Sequence, residues 1–312
     1  MIEKLKLFVI GMLMGAAEIV PGVSGGTIAF ITGIYGRLIH AINQVNFSLL
    51  TELKKMGIRS VWSRVDGTFL VSLLSGMLCS VFLFASSIQY LLREEPILIW
   101  SFFFGLVIAS VWHVSSQIDK PDWRAGLLIG VGAASGLVIT HLIPIEIPPT
   151  SVNLFLAGAV AICAWILPGL SGSFILLVLG LYHYLIDAIA EMDVLFLLTL
   201  GSGCLVGILS FARLLDYFFT RYRDQTLSLL TGFMMGSLVK LWPWQNVTSY
   251  QIKSNGTHVP LVQNPISPMT YEEITGNSPE LLFALLGLLL GFISVLGLAA
   301  LARYGEAYRD KV

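Results

Sequence analysis

Six apolar runs constrain this chain most. Residues 68–92, 97–115, 126–143, 194–212, 226–242 and 281–302 each come close to the length that crosses a bilayer core as helix, about 20 residues for about 30 Å. Backbone donors and acceptors in lipid find no water, so each run must satisfy its own as a helix. Composition agrees: mean hydropathy is +0.82, 56% of residues are hydrophobic and 12% are charged, against about 25% charged in a soluble domain. No series of short alternating strands suggests a barrel. The expected fold class is an all-α polytopic membrane protein. A net charge of −1 offers no electrostatic basis for binding nucleic acid. Cys79, Cys163 and Cys204 sit in apolar stretches with a spacing that suits neither a metal site nor a disulfide framework. Lys4 and Lys6 precede an apolar run with no small-residue cleavage site after it, which reads as a retained first membrane segment.

The chain also repeats itself. Residues 17–42 and 164–189 align without a gap, matching Ala17 to Ala164, Pro21 to Pro168, Gly22 to Gly169, Ser24 to Ser171 and Gly25 to Gly172. Gly33 and Tyr35 then match Gly180 and Tyr182 at the same spacing. Apolar composition alone produces chance Leu and Ile matches, but not Pro-Gly-x-Ser-Gly followed by Gly-x-Tyr. Further along, Gly76 and Gly203, Gly105 and Gly232, and Ser110 and Ser237 keep a common offset. The first repeat is predicted over 1–145, with a hairpin at 5–42 and helices at about 68–92, 97–115 and 126–143. The second is predicted over 150–305, with a hairpin at 152–189 and helices at about 194–212, 226–242 and 281–302. A polar loop at 243–280 is expected outside the cytoplasm.

Each hairpin is read as re-entrant. Pro21 and Pro168 remove a donor and turn the preceding residue away from helix, and Gly22, Gly25, Gly26, Gly169 and Gly172 weaken helix further. The arms, at 7–20 and 27–42 in the first copy, are short for full crossings; a full-length helix with a proline kink is the alternative. A hairpin that does not cross, followed by three helices that do, inverts the second repeat. Basic residues agree: with the N-terminus inside, every Lys and Arg except Arg93, Lys240 and Lys253 falls on the inner side. Both termini are then cytoplasmic. That count supports inversion and is silent on re-entrance.

Inverted repeats with broken helices are a plan of secondary transporters. The two breaks should meet near the midplane, where unsatisfied N–H groups and the helix dipole favour an anion. Ser24, Gly25, Gly26 and Thr27 from one break, with Ser171, Gly172 and Ser173 from the other, are the candidate phosphate ligands; close helix packing by small residues is the alternative. Glu18 lies three residues before Pro21 and is the candidate coupling or gating group, its counterpart being Trp165. Arg37, matched by Tyr184, is a candidate further phosphate ligand or an interfacial anchor. No cofactor is expected beyond coupling to protons or sodium. The chain contains no P-loop, no H-E-x-x-H and no G-x-S-x-G, so an enzyme is not expected.

The segment Glu18-Ile-Val-Pro-Gly-Val-Ser-Gly-Gly-Thr27, with Gly33-Ile-Tyr35 after it and Leu167-Pro-Gly-Leu-Ser-Gly172 in the second half, resembles a bacterial family of polyprenyl-phosphate (undecaprenyl-phosphate) translocases, formerly a domain of unknown function. The resemblance covers nearly the whole chain. It implies undecaprenyl phosphate as substrate, moved from outer to inner leaflet of the cytoplasmic (inner) membrane and reused in peptidoglycan synthesis. The bilayer and this lipid are the implied partners; a homodimer is an expectation that no residue pattern specifies. A transporter of a soluble anion and an enzyme acting on lipid phosphates are the rival readings.

Overall fold

The computed structural model describes residues 2–20, 23–46, 48–142, 145–252 and 258–309. For residues 2, 50, 249–252, 258–262 and 302–309 it describes the backbone alone. Pro21 and Gly22, two of the predicted break residues, lie outside the described residues.

Five helices are long and apolar enough to cross a membrane: α6 (Gly67–Glu94), α7 (Pro96–Ser115), α8 (Trp123–Thr140), α12 (Val194–Arg221) and, within α15 (Leu281–Arg309), residues 281–301. Their outer faces are apolar rather than charged. Phe82 on α6 is 86% exposed, and Leu198 and Leu282 are similarly bare. Such surface is stable only against lipid, so the chain is a multi-pass membrane protein. The helix expected at 226–242 is shorter: α13 (Arg223–Ser237) runs into a 3₁₀ turn, Leu238–Leu241. Thr226, Ser228, Thr231 and Ser237 on this stretch are buried within the protein, where their hydroxyls bond to backbone carbonyls of their own helix.

The repeat is visible in the order of elements. In the first half come α1 (Ile2–Glu18), α2 (Gly25–Ile31) and α3 (Tyr35–Asn43); in the second come α9 (Ser151–Ile166), α10 (Gly172–Val178) and α11 (Tyr182–Ala190). Both three-helix units precede a 28-residue helix, α6 or α12. The closest helix pairs are α1 with α6, α9 with α12, α7 with α15 and α8 with α13. Exchanging the halves maps this set of pairs onto itself. Glycines set the approach: a Cβ on Gly76 would strike the carbonyl of Phe8, and one on Gly203 would strike that of Phe155. Gly105 meets the Leu288 carbonyl as Gly232 meets that of Ile129. The offsets noticed in the sequence are therefore equivalent contacts.

Three features depart from the expected plan. The second arm of each hairpin is itself bent, at Gly33 (φ 73°) and Gly180 (φ 69°), a left-handed backbone that glycine adopts without strain; α10 and α11 meet at 108°. Two short helices, α4 (Ser48–Met56) and α5 (Ile58–Arg64), are inserted in the first half only. The described residues of the predicted polar loop form regular elements. The loop holds an antiparallel pair, β1 (Gln245–Ile252) and β2 (His258–Pro265), and a helix, α14 (Pro268–Thr275). Indole donors tie it down: Trp242 Nε1 donates to the Ile266 carbonyl at 2.8 Å and Trp244 Nε1 to that of Pro279 at 2.9 Å. The chain is thus helical apart from this one hairpin among the described residues.

Candidate functional site

Both breaks fall where the Pro-Gly-x-Ser-Gly pattern stands. α1 ends at Glu18, Ser24 takes an extended conformation as the residue capping α2, and α2 starts at Gly25. In the second copy α9 ends at Ile166, Gly169 turns the chain with φ 83°, and α10 starts at Gly172 after an extended Ser171. A side chain at Gly169 would also meet the backbone of Met234 at 2.9 Å, so conformation and space both require glycine there.

The two breaks meet. Ser24 Oγ donates to the Trp165 carbonyl at 3.1 Å and accepts from Gly26 N at 3.1 Å. Gly169 N donates to Thr27 Oγ1 at 3.2 Å. Tyr35 Oη donates to the Ile166 carbonyl at 3.2 Å. Gly26 packs against that same carbonyl, 2.5 Å from where a Cβ would sit. The last carbonyls of α9 have no partner within their own helix, so side chains of the first hairpin satisfy them. Ser24, Thr27 and Ser171 are buried. An unpaired polar group there would cost about 1–3 kcal/mol, so these contacts specify how the hairpins dock.

The site is asymmetric. Glu18 Oε1 accepts from Gly25 N at 2.6 Å, placing its carboxyl group at the start of α2. Its counterpart, Trp165, brings its side chain to the same carboxyl group. The start of α10 has no side-chain cap, and Ser171 Oγ and Ser173 Oγ bond to each other at 2.8 Å. Glu18, Ser24, Gly25, Gly26 and Thr27 thus form one cluster with the end of α9, and Ser171, Gly172 and Ser173 start the facing helix.

Arg37 is not brought to this cluster. Its Nε donates to Asp66 Oδ2 at 2.6 Å and its Nη1 to Glu3 Oε1 at 3.0 Å, with the guanidinium 4.5 Å from the Phe69 ring centroid. Glu3 and Glu18 stand at opposite ends of α1, about 22 Å apart at 1.5 Å per residue. Lys240 reaches the second hairpin: its Nζ lies 5.5 Å from the Phe174 ring of α10 and donates to Gln263 at 3.1 Å. Sequence reading singled out Lys240 only as one of three basic residues off the inner side. Tyr35 was visible there only as a repeat match, and Trp165 only as the residue opposite Glu18. Among the described residues no group of His, Cys, Asp and Glu could hold a metal ion.

Known proteins resemble this chain along most of its length. A family profile, VCA0040-like and described as undecaprenyl phosphate translocase-like, matches residues 14–259. A protein of Vibrio cholerae serotype O1 named polyprenyl-phosphate transporter is 44% identical over 307 residues, covering 98% of this chain and 97% of its own. A Staphylococcus aureus protein of the same name is 34% identical over 251 residues, 75% of this chain and 84% of its own. No solved structure matches the chain. The profile takes in both breaks, and the first relative runs nearly end to end: the chain belongs to the undecaprenyl phosphate translocase-like family.

Proposed function

We propose that the protein carries undecaprenyl phosphate across the cytoplasmic membrane of a bacterium, from the outer to the inner leaflet, returning the lipid carrier for reuse in cell-wall synthesis. The observation that carries this reading is the docking of two broken hairpins, Ser24 and Thr27 of one against Trp165 and Gly169 of the other, in a chain whose relatives are named polyprenyl-phosphate transporter. A phosphate on a long apolar tail cannot cross hydrocarbon unaided, because burying the charge is too costly. A carrier need shield only the head while the tail stays in lipid. Backbone N–H groups and hydroxyls of Ser24–Thr27 and Ser171–Ser173 supply that shield, with the re-entrant hairpins entering from opposite faces as inverted repeats and both termini cytoplasmic.

In this reading Glu18 gates the site. Its carboxylate occupies the Gly25 N–H that a phosphate would use, so the two anions compete. Uptake of a proton or a sodium ion by Glu18 neutralises the charge that repels the phosphate, which couples transport to an ion gradient. The Ser171–Ser173 pair opens towards the phosphate with the loss of one hydroxyl–hydroxyl bond.

The test is leaflet exchange of undecaprenyl phosphate in vesicles holding the purified protein, against a Ser24→Ala/Ser171→Ala variant whose folding is checked by thermal unfolding. Exchange by the wild type, lost in the folded variant, supports both substrate and site. Wild-type exchange by the variant removes the site assignment. No exchange by folded wild type, under pH and sodium gradients, favours a soluble anion as cargo; release of inorganic phosphate would reveal an enzyme.

A further inference from the structure

Lys240 stands against the second hairpin with no acid paired to it among the described residues. It belongs to the 3₁₀ turn Leu238–Leu241 that continues α13. Its Nζ donates to Gln263 Oε1 at 3.1 Å and lies 5.5 Å from the Phe174 ring centroid. The chain carries no Asp or Glu between Asp224 and Glu272, nor between Glu146 and Asp187. Neither the segment around Lys240 nor the second break therefore supplies a counter-ion. A half-buried ammonium that faces a ring and a neutral amide has no anion to balance it, and a charge drawn out of water without an opposite one is costly.

The place of this cation is fixed from both sides. Ser237, three residues before Lys240, lies against the break itself: a Cβ on Gly169 would come within 3.0 Å of Ser237 Oγ. At about 2.0 Å per residue of 3₁₀ turn, Lys240 is about 6 Å further along. Phe174, beside which the ammonium rests, directly follows Ser173. Gln245 Nε2 closes the turn by donating to the carbonyls of Lys240 and Trp242, at 2.9 and 3.0 Å. Gln263 is held on β2 opposite Val247. Trp242 and Trp244 follow at once, and tryptophans gather at the level of lipid headgroups. The offset that matches Ser110 with Ser237 also matches His113 with Lys240, so both halves carry a basic residue at this place.

We propose that Lys240 receives the phosphate head of the lipid on the outer side and delivers it to the Ser171–Ser173 pair, its ammonium leaving Gln263 for a phosphate oxygen. This role rests on the function proposed above and names the residue that the substrate meets first. In the orientation given there Lys240 is on the side from which the lipid is loaded. Hydrogen bonds between ionised partners are about twice as strong as those between neutral ones, so an arriving phosphate displaces the amide of Gln263. The same cation distinguishes a phosphorylated lipid from its alcohol, which brings no charge.

The full chain, purified in detergent, is titrated with undecaprenyl phosphate, with undecaprenol and with inorganic phosphate, and tryptophan fluorescence reports binding. Lys240→Gln should weaken binding of undecaprenyl phosphate about tenfold and leave that of undecaprenol unchanged. Lys240→Arg, which keeps the charge, should bind within about threefold of wild type. Arg93→Gln, which removes a different outer cation at the end of α6, should bind as wild type. Unfolding midpoints establish that each variant is folded, and Lys240→Met replaces the glutamine variant if that one is not. Undiminished binding of undecaprenyl phosphate without the lysine, an equal loss for undecaprenol, or an equal loss in Arg93→Gln overturns the proposal. Leaflet exchange in vesicles separates the lysine from the function: unimpaired exchange by folded Lys240→Gln removes the lysine and leaves translocation. Lys240-dependent binding of inorganic phosphate as tight as that of the lipid, with no exchange by wild type, removes translocation and overturns the lipid as ligand.

Discussion

Glu18 Oε1 and the backbone N–H of Gly25 are joined at 2.6 Å across the first break, so the chain closes the start of α2 with a carboxylate of its own. The equivalent residue of the other repeat, Trp165, cannot do this for Gly172, and α10 starts without a side-chain cap. Two helix starts of the same backbone shape thus differ in what closes them: an acidic side chain caps one, and no side chain caps the other.

Replacing Glu18 should separate its two roles. Glu18→Gln keeps an oxygen that accepts from Gly25 and should retain stability while removing the dependence of exchange on an ion gradient. Glu18→Ala leaves the donor unpaired and should cost about 1–3 kcal/mol. Thermal unfolding in detergent and exchange under imposed gradients read the two effects; equal gradient dependence in wild type and Glu18→Gln would exclude the gating role.

Thr27 should be replaceable by serine but not by valine. Thr27→Val is nearly isosteric yet leaves Gly169 N without its buried acceptor, a loss of about 1–3 kcal/mol. Thr27→Ser keeps the oxygen. The comparison is of unfolding midpoints, and a valine variant as stable as the serine one would show that this contact does not hold the hairpins together.

Arg37 should behave as a brace at the far end of α1. Its partners Glu3 and Asp66 have side-chain exposures of 60% and 35%, and solvent-screened pairs of this kind contribute about 0–1 kcal/mol. Arg37→Ala should lower stability modestly, most at low salt, and leave exchange within about twofold of wild type. A much larger loss of exchange at unchanged stability would return Arg37 to the phosphate site.

Glycine substitutions should follow the repeat. Gly76→Ala and Gly203→Ala each drive a methyl into a neighbouring backbone carbonyl and should each cost about 1–3 kcal/mol or more. Gly130→Ala, on α8 with nothing within 4 Å of the added carbon, should be tolerated. Expression and unfolding of the three variants check this, and equal stability of all three would refute the equivalence of the two close approaches.

The membrane class, the repeat and the position of both breaks were legible in the sequence because each depends on local chemistry. Length and apolarity decide whether a segment can live in lipid. Proline and glycine decide where a helix cannot continue, and α1 and α9 end within a few residues of Pro21 and Pro168. The common offset of Gly76 and Gly203 became a pair of equivalent helix contacts because close approach is possible only where no Cβ stands.

What the residues do for one another was decided by packing. Ser24 and Thr27 were read as ligands waiting for an anion, and here they bind the end of the facing hairpin. That partnership joins residues more than 140 positions apart, which no local pattern encodes. Arg37 reaches Glu3, in the first turn of α1, and Asp66, the residue before α6, partners that stand 34 and 29 positions away in the chain. The bend in the second arm hangs on Gly33 and Gly180, glycines the sequence presents only as repeat markers. Local preference specifies where helices start, stop and enter lipid; the partner that satisfies each orphaned backbone group is chosen only when the two halves of the chain are brought together, because burial is what makes an unpaired group costly.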